Sequence, residues 1–233
     1  MNKKLYSTKS LGILLIAGTL LLFIPYTILV ARFEYPDILR EPTGSILKKF
    51  NEGGVLLIFT WLAFSAVGFP LIIACIKLGQ LMEAEYPPLR WGTVLGITGL
   101  LVQMIALLRW VFVVPVLATD FITGNDTVKI SATTGFKVIH QFGGVLLGEC
   151  LGQVFTICWT IILCLAFLKM KLFSKWVHFF GIAASIIYFF AQAELLSTVI
   201  PGVPVLEFAG LLGSTLWLIY LSIIGILLYR ISI

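Results

Sequence analysis

The sequence has few charged residues: Lys, Arg, Asp and Glu make up 12% of its 233 residues, against about 25% in an average soluble domain. Hydrophobic residues make up 60%. Such a composition excludes an ordinary soluble domain and indicates a polytopic membrane protein. The net charge of +5 comes from basic residues in short segments beside the apolar runs, where they set membrane orientation. We therefore expect contact with membrane lipids and no binding of nucleic acid.

Cysteine and histidine are also scarce. All four cysteines lie inside apolar runs without a Cys-x-x-Cys motif, so neither a disulfide framework nor a metal knuckle is expected. His140 and His178 are the only histidines, and the predicted spans place them about a membrane thickness apart, roughly 30 Å. Gly-x-Ser-x-Gly, His-Glu-x-x-His and P-loop motifs are absent as well. We therefore expect no catalytic residue, no metal and no cofactor.

Six apolar runs are each long enough to cross a bilayer as a helix. They predict an all-α membrane protein, a single six-span domain over residues 1–233, with Pro70 kinking the second span. The predicted spans are residues 11–31, 55–77, 92–117, 142–168, 176–200 and 205–230.

The polar connections give an orientation. Of the 16 Lys and Arg residues, nine lie on the side of the two termini and six on the other side, leaving Arg109 inside a span. The positive-inside rule then predicts a bundle with both termini in the cytoplasm and two long loops outside, residues 32–54 and 118–141. In the first outer loop, residues 42–51 predict a short amphipathic helix. It is either a helix lying on the membrane surface or a lid over a site.

Arg109 lies inside the third apolar run, where a charge costs roughly 2.5–3.5 kcal/mol on insertion scales. Counting about 1.5 Å per residue, Arg109 falls in the outer half of its span, at the same predicted depth as Glu149 and Glu194. We predict that Arg109 pairs with Glu149 and that Glu194 is a second or alternative partner. Two interpretations remain open: a structural ion pair that holds the helices in register, and a ligand or ion site.

The fourth span carries two patterns. Gly144, Gly148 and Gly152 form a ridge of small residues that lets another helix approach closely in lipid. A polar stripe runs beside the ridge and is expected to face the bundle interior, at Glu149, Gln153, Thr156 and Thr160. Further polar residues extend the possible site. The ligand-binding candidates are Arg109, Glu149, Glu194, His140, Gln153 and Gln192.

Several segments resemble an uncharacterised bacterial family of multi-span membrane proteins, domain of unknown function 4386. The segments that carry this resemblance are Tyr35–Arg40 with Pro42, Leu108–Pro115, and His140 followed by Gly144 and Leu147–Gly152. The resemblance implies a multi-pass protein of the bacterial cytoplasmic (inner) membrane. It implies no particular activity.

The sequence favours a non-enzymatic membrane protein with an outward-facing polar pocket between spans three, four and five. Arg109 would bind a small anionic or amphipathic ligand, such as an anionic lipid, in sensing or transport. One alternative is an accessory or scaffold subunit that forms a homo- or hetero-oligomer through the glycine ridge. Another is a lipid-modifying membrane enzyme that uses His140 and Glu149, although the two lie about 180° apart on an ideal α-helix.

Overall fold

The computed structural model describes residues 2–231, with side chains from Thr8 onward. The side chains of Lys3 and Lys4, which count in the predicted charge bias, lie outside the described residues. Within the described part the chain is helical and contains no strand. The α-helices are α1 Asn2–Phe33, α2 Thr43–Ala66, α3 Gly68–Met82, α4 Leu89–Phe112, α5 Val114–Thr123, α6 Asp126–Ile139, α7 Gly152–Lys169, α8 Lys175–Phe190, α9 Gln192–Ser197 and α10 Phe208–Arg230. A 3₁₀-helix covers Asp37–Arg40, and a π-helix covers His140–Leu151.

Six helical stretches of the described chain are long and apolar enough to cross a membrane, which confirms the predicted number of spans. The stretches are Thr8–Phe33, Thr43–Met82, Leu89–Thr123, Asp126–Lys169, Lys175–Ser197 and Phe208–Arg230. The chain is thus a multi-pass membrane protein. Most of the helical stretches extend beyond the predicted spans, because the flanking polar segments continue as helix.

The second span is interrupted before Pro70, where the sequence predicts a kink. The ring of Pro70 would collide with the carbonyl of residue 66 in a continuous helix, and α2 ends at that residue, Ala66. The helix resumes as α3 at Gly68. Pro115 acts similarly: α4 ends at Phe112, and α5 begins with Pro115 in its first turn, where proline is tolerated.

Residues 32–54, predicted as the first outer loop, contain the predicted amphipathic helix, but this helix continues into the second span. Gly54 interrupts α2 with φ +55° and ψ −152°, a conformation open almost only to glycine. The interruption falls one residue after Gly53, the predicted helix end. Ile46, Leu47 and Phe50 form its apolar face and are buried in the protein. The interpretation in which this face rests on lipid is therefore wrong, since the face packs against other side chains.

Residues 118–141 are wrongly predicted as a loop. It folds as the end of α5, the whole of α6 and the start of the π-helix. The Asn125 side chain caps α6 by accepting a hydrogen bond from the Val128 amide at 3.1 Å. Ala132 and Phe136, four residues apart, form the buried face of α6.

The described chain divides into two compact units. The first, here the packing unit, comprises Met1–Leu20, Gly68–Leu101 and Glu149–Ile233; the second, here the aromatic unit, comprises Leu21–Val67 and Val102–Gly148. Helices α1 and α4 and the π-helix each contribute residues to both units.

Small residues bring helices together in the packing unit. A Cβ atom built on Gly213 of α10 would overlap the Cα of Tyr188 in α8. A Cβ on Gly12 of α1 would lie 2.5 Å from the Gly225 carbonyl oxygen in α10. Hydrogen bonds reinforce these contacts, because Thr19 Oγ1 lies 2.8 Å from Ser222 Oγ. In lipid there is no hydrophobic driving force between helices, so they associate through close backbone packing of this kind.

Candidate functional site

The aromatic unit contains a cluster of five fully buried rings, here the ring cluster: Phe33, Phe50, Trp61, Trp110 and Phe136. The rings come from the end of α1, from both sides of the Gly54 interruption in α2, and from α4 and α6. The two indoles stack with centroids 4.9 Å apart and an interplanar angle of 10°. Phe50 stacks on Trp110 at 5.6 Å, and Phe33 packs edge-on at 5.3 Å. Both geometries are favoured by aromatic quadrupoles.

Arg109 is buried beside this cluster, with 7% of its surface exposed. Its guanidinium carbon lies 5.2 Å from the centroid of the Trp110 ring, within the range of a cation–π interaction. Nη1 donates a hydrogen bond to the Ala106 carbonyl one turn earlier in α4. The sequence therefore correctly identifies a buried charge, and the adjacent tryptophan partly compensates its desolvation.

Two glycines of the π-helix make room for this guanidinium. A Cβ on Gly144 would lie 2.6 Å from Arg109 Nη2, and a Cβ on Gly143 would lie 3.3 Å from Arg109 Cδ. Gly148 faces Ala106 of α4, with 2.9 Å between a built Cβ and the alanine methyl carbon. In the packing unit, the Gly152 carbonyl oxygen lies 2.9 Å from a Cβ built on Gly99. All three glycines of the ridge thus contact α4 of the same chain.

His140 joins the same ring cluster. Its imidazole stacks on Phe136 with centroids 5.2 Å apart and lies 6.4 Å from the Trp110 ring. The guanidinium groups of Arg109 and Arg40 both act electrostatically on this imidazole. The aromatic unit therefore brings together two of the six predicted ligand-binding candidates, Arg109 and His140.

Three ring nitrogens of this group are buried and have no hydrogen-bond partner among the described residues: Trp61 Nε1, Trp110 Nε1 and His140 Nδ1. An indole N–H is a donor only, whereas an imidazole nitrogen donates or accepts according to its tautomer. Leaving a buried donor unsatisfied costs about 1–3 kcal/mol. Groups of this kind call for an explanation such as a ligand. From sequence alone, both indoles are assigned to packing or to the membrane interface.

The other four candidates belong to the packing unit. Gln192 Nε2 donates to Gln153 Oε1 at 2.9 Å and to the Glu149 carbonyl at 3.2 Å. The Glu194 carbonyl accepts a hydrogen bond from Ser197 Oγ at 2.6 Å. The structure thus joins Gln192, Gln153 and the Glu149 backbone. The pairing of Arg109 with Glu149 or Glu194 stays a prediction.

Within α7, the polar stripe of the fourth span is half-buried at Gln153 and buried at its two threonines. Thr156 and Thr160 are both buried, and Thr160 Oγ1 accepts a hydrogen bond from Trp217 Nε1 at 2.8 Å. Glu149, at the other end of the stripe, lies in the π-helix rather than in an α-helix. The angle of about 180° between His140 and Glu149 assumed the 3.6-residue turn of an α-helix. It does not apply to a π-helix, whose hydrogen bonds join residues five apart.

His178 illustrates a residue that sequence places wrongly. An interfacial position is expected from its neighbour Trp176, but the imidazole is fully buried in the packing unit. Its Nε2 lies 2.7 Å from the Leu172 carbonyl oxygen, and its ring stacks on Phe167 at 5.2 Å. These contacts give His178 a structural role in closing the turn between α7 and α8.

The aromatic unit also contains a cavity of about 200 Å³ that the sequence does not reveal. It lies between the end of α1 and the interrupted part of α2, and its polar wall includes Arg32, Lys49 and Glu52. The sequence feature that could have indicated this cavity is the Gly53-Gly54 pair, which separates a charged half of α2 from an apolar half.

Comparison with known proteins gives one match. A family model described as Domain of unknown function (DUF4386) matches residues 10–225. Neither a curated protein nor a solved structure matches the chain.

Proposed function

The chain belongs to the family described as Domain of unknown function (DUF4386), and we propose that it is a non-enzymatic membrane protein that binds a small anionic amphiphile beside Arg109. The single observation that carries this proposal is the set of three buried ring nitrogens without partners around a buried guanidinium. We propose the bacterial cytoplasmic membrane as its location, with both termini inside. Binding at this position would serve sensing or transport.

The chemistry of the site favours an anionic ligand. Arg109 supplies a fixed positive charge, and the indole N–H groups of Trp61 and Trp110 are donors that need acceptors. A carboxylate or phosphate offers several acceptor atoms in a small volume and forms charge-assisted hydrogen bonds, which are about twice as strong as neutral ones.

The proposal is tested with two probes of equal chain length, dodecanoate and dodecanol, and the full-length protein in phosphatidylcholine nanodiscs. We expect dodecanoate to bind more tightly than dodecanol. Trp110→Phe keeps an aromatic ring but removes the indole N–H together with part of the ring volume. The affinity for dodecanoate should fall about 10- to 100-fold, the equivalent of one hydrogen bond to a charged group. Calorimetric titration measures both affinities.

Trp159→Phe provides the matched control. Trp159 is also fully buried, and its Nε1 also lacks a partner among the described residues, but it belongs to the packing unit. The same change of ring there should leave dodecanoate binding unaltered. Equal affinity for the two probes, or equal losses in both variants, would refute the proposed site.

A further inference from the structure

The cavity beside the Gly54 interruption is a second candidate site, and its residues do not overlap with the ring nitrogens of the first. Arg32 in the last turn of α1 contributes to one wall. Lys49 and Glu52, which precede the interruption in α2, and Leu56 and Leu57, which follow it, contribute to the other. The wall of the cavity is therefore partly charged and partly apolar.

The charges of this cavity balance. Lys49 forms an ion pair with Glu34, so its charge is already compensated. Arg32 and Glu52 line the same cavity, yet no hydrogen bond or ion pair joins either of them to another described residue. One positive and one negative side chain thus remain available, and the surroundings carry no net charge. A purely anionic ligand would leave Glu52 opposed to it, whereas a zwitterion matches both charges.

Both helices change from charged to apolar at the level of the cavity. Ile28 lies one turn before Arg32 in α1 and also lines the cavity. In α2, the apolar residues begin directly after the glycine pair, and Val55, Leu56 and Phe59 are exposed on the surface. Charged groups beside an exposed apolar surface are typical of the headgroup region of a membrane, where side chains meet lipid phosphates and acyl chains begin.

We propose that this cavity binds the headgroup of a zwitterionic phospholipid with a primary amine, that is, a phosphatidylethanolamine. Arg32 contacts the phosphate, Glu52 accepts hydrogen bonds from the ammonium group, and the acyl chains lie along Val55, Leu56 and Phe59. The choline headgroup has the same net charge but no N–H to donate. Glu52 therefore distinguishes the two headgroups.

The experiment is native mass spectrometry of the full-length protein with phosphatidylethanolamine, phosphatidylcholine and phosphatidylglycerol of identical acyl chains. We expect phosphatidylethanolamine to bind about tenfold more tightly than phosphatidylcholine, as one charge-assisted hydrogen bond would provide. Glu52→Gln should reduce this preference to about twofold, because a neutral amide accepts more weakly than a carboxylate. Arg32→Gln should weaken the binding of both phosphatidylethanolamine and phosphatidylcholine about tenfold, and Arg32→Lys should restore part of this affinity.

Lys129→Gln is the control for a general loss of surface charge. Lys129 lines another cavity of the aromatic unit, on α5 and α6, whose wall includes Lys137 but no acidic residue. This variant should not alter the preference for phosphatidylethanolamine. Equal binding of the ethanolamine and choline lipids, a preference unchanged in Glu52→Gln, or tighter binding of phosphatidylglycerol would each overturn the proposal. Trp110→Phe should leave this preference intact, so failure of one site does not imply failure of the other.

Discussion

Trp217 in the packing unit donates its indole N–H to Thr160, whereas Trp61 and Trp110 in the aromatic unit have no described partner for theirs. All three side chains are buried. A buried donor that finds an internal acceptor contributes to stability, and one that finds none lowers it. The N–H of Trp217 therefore holds helices together, whereas those of Trp61 and Trp110, and also that of Trp159 in the packing unit, form no such bond among the described residues.

The two units also differ in how they use glycine. In the packing unit, Gly12 and Gly213 allow contact with the backbone of another helix. In the aromatic unit, Gly144 faces the end of the flexible Arg109 side chain, and no atom lies within 4 Å of a Cβ built on Gly54. A side chain added at Gly12 or Gly213 meets rigid backbone atoms. One added at Gly144 meets a movable side chain, and one added at Gly54 meets nothing. The steric cost of an added methyl group should therefore be larger at Gly12 and Gly213 than at Gly144 and Gly54.

The largest effect is expected at Gly213. Gly213→Ala places a methyl group against the Tyr188 backbone, and overpacking of this kind should lower the free energy of unfolding by about 3 kcal/mol. Gly210→Ala, on the same helix, is the control, because the nearest atom to its Cβ is 3.9 Å away. Denaturant unfolding in detergent micelles measures both variants. If Gly213→Ala and Gly210→Ala are equally stable, the helices of the packing unit accommodate an added methyl group easily. That result would contradict the proposed role of Gly213 in close helix packing.

A smaller effect is expected at the two glycines with positive φ, one in each unit: Gly54 at +55° and Gly202 at +85°. Alanine at either position has open space but a strained backbone, so each substitution should cost about 1–3 kcal/mol. Only Gly54→Ala should also change the near-UV circular dichroism of the stacked indoles, because Phe50 and Trp61 lie on either side of the interruption. If Gly202→Ala changes the near-UV circular dichroism as much as Gly54→Ala does, the proposed link between Gly54 and the stacked indoles is wrong.

The sequence predicts well those features that depend on hydropathy or on proline geometry. The number of spans follows from the apolar runs, and the break before Pro70 follows from its collision with the carbonyl of residue 66. The burial of Arg109 is also predicted, because a charge inside an apolar run is conspicuous. These signals are contained in the local sequence and need no knowledge of neighbouring helices.

Features that depend on tertiary contacts could not be predicted from the sequence. Residues 118–141 look like a loop because α6 is polar on one face, and its buried face consists of few residues, such as Ala132 and Phe136. The π-helix leaves no periodic signature, since three glycines interrupt the apolar pattern at 143, 144 and 148. The rings that pack against Trp110 come from helices distant in sequence, so hydropathy could not predict the ring cluster.

The smallest effect tests the comparison most directly. Trp217→Phe and Trp110→Phe remove the same part of a buried side chain, so the loss of ring volume is alike in the two units. Only Trp217→Phe also removes a hydrogen bond and leaves Thr160 without its indole donor. In the absence of ligand, Trp217→Phe should therefore destabilise the protein by about 1 kcal/mol more than Trp110→Phe, the net contribution of a typical hydrogen bond. Denaturant unfolding of both variants measures the difference, and Thr160→Val reports on the same bond from the acceptor side. If the two tryptophan variants are equally stable, the Trp110 N–H is satisfied inside the ring cluster, and the reason to expect a ligand there is lost.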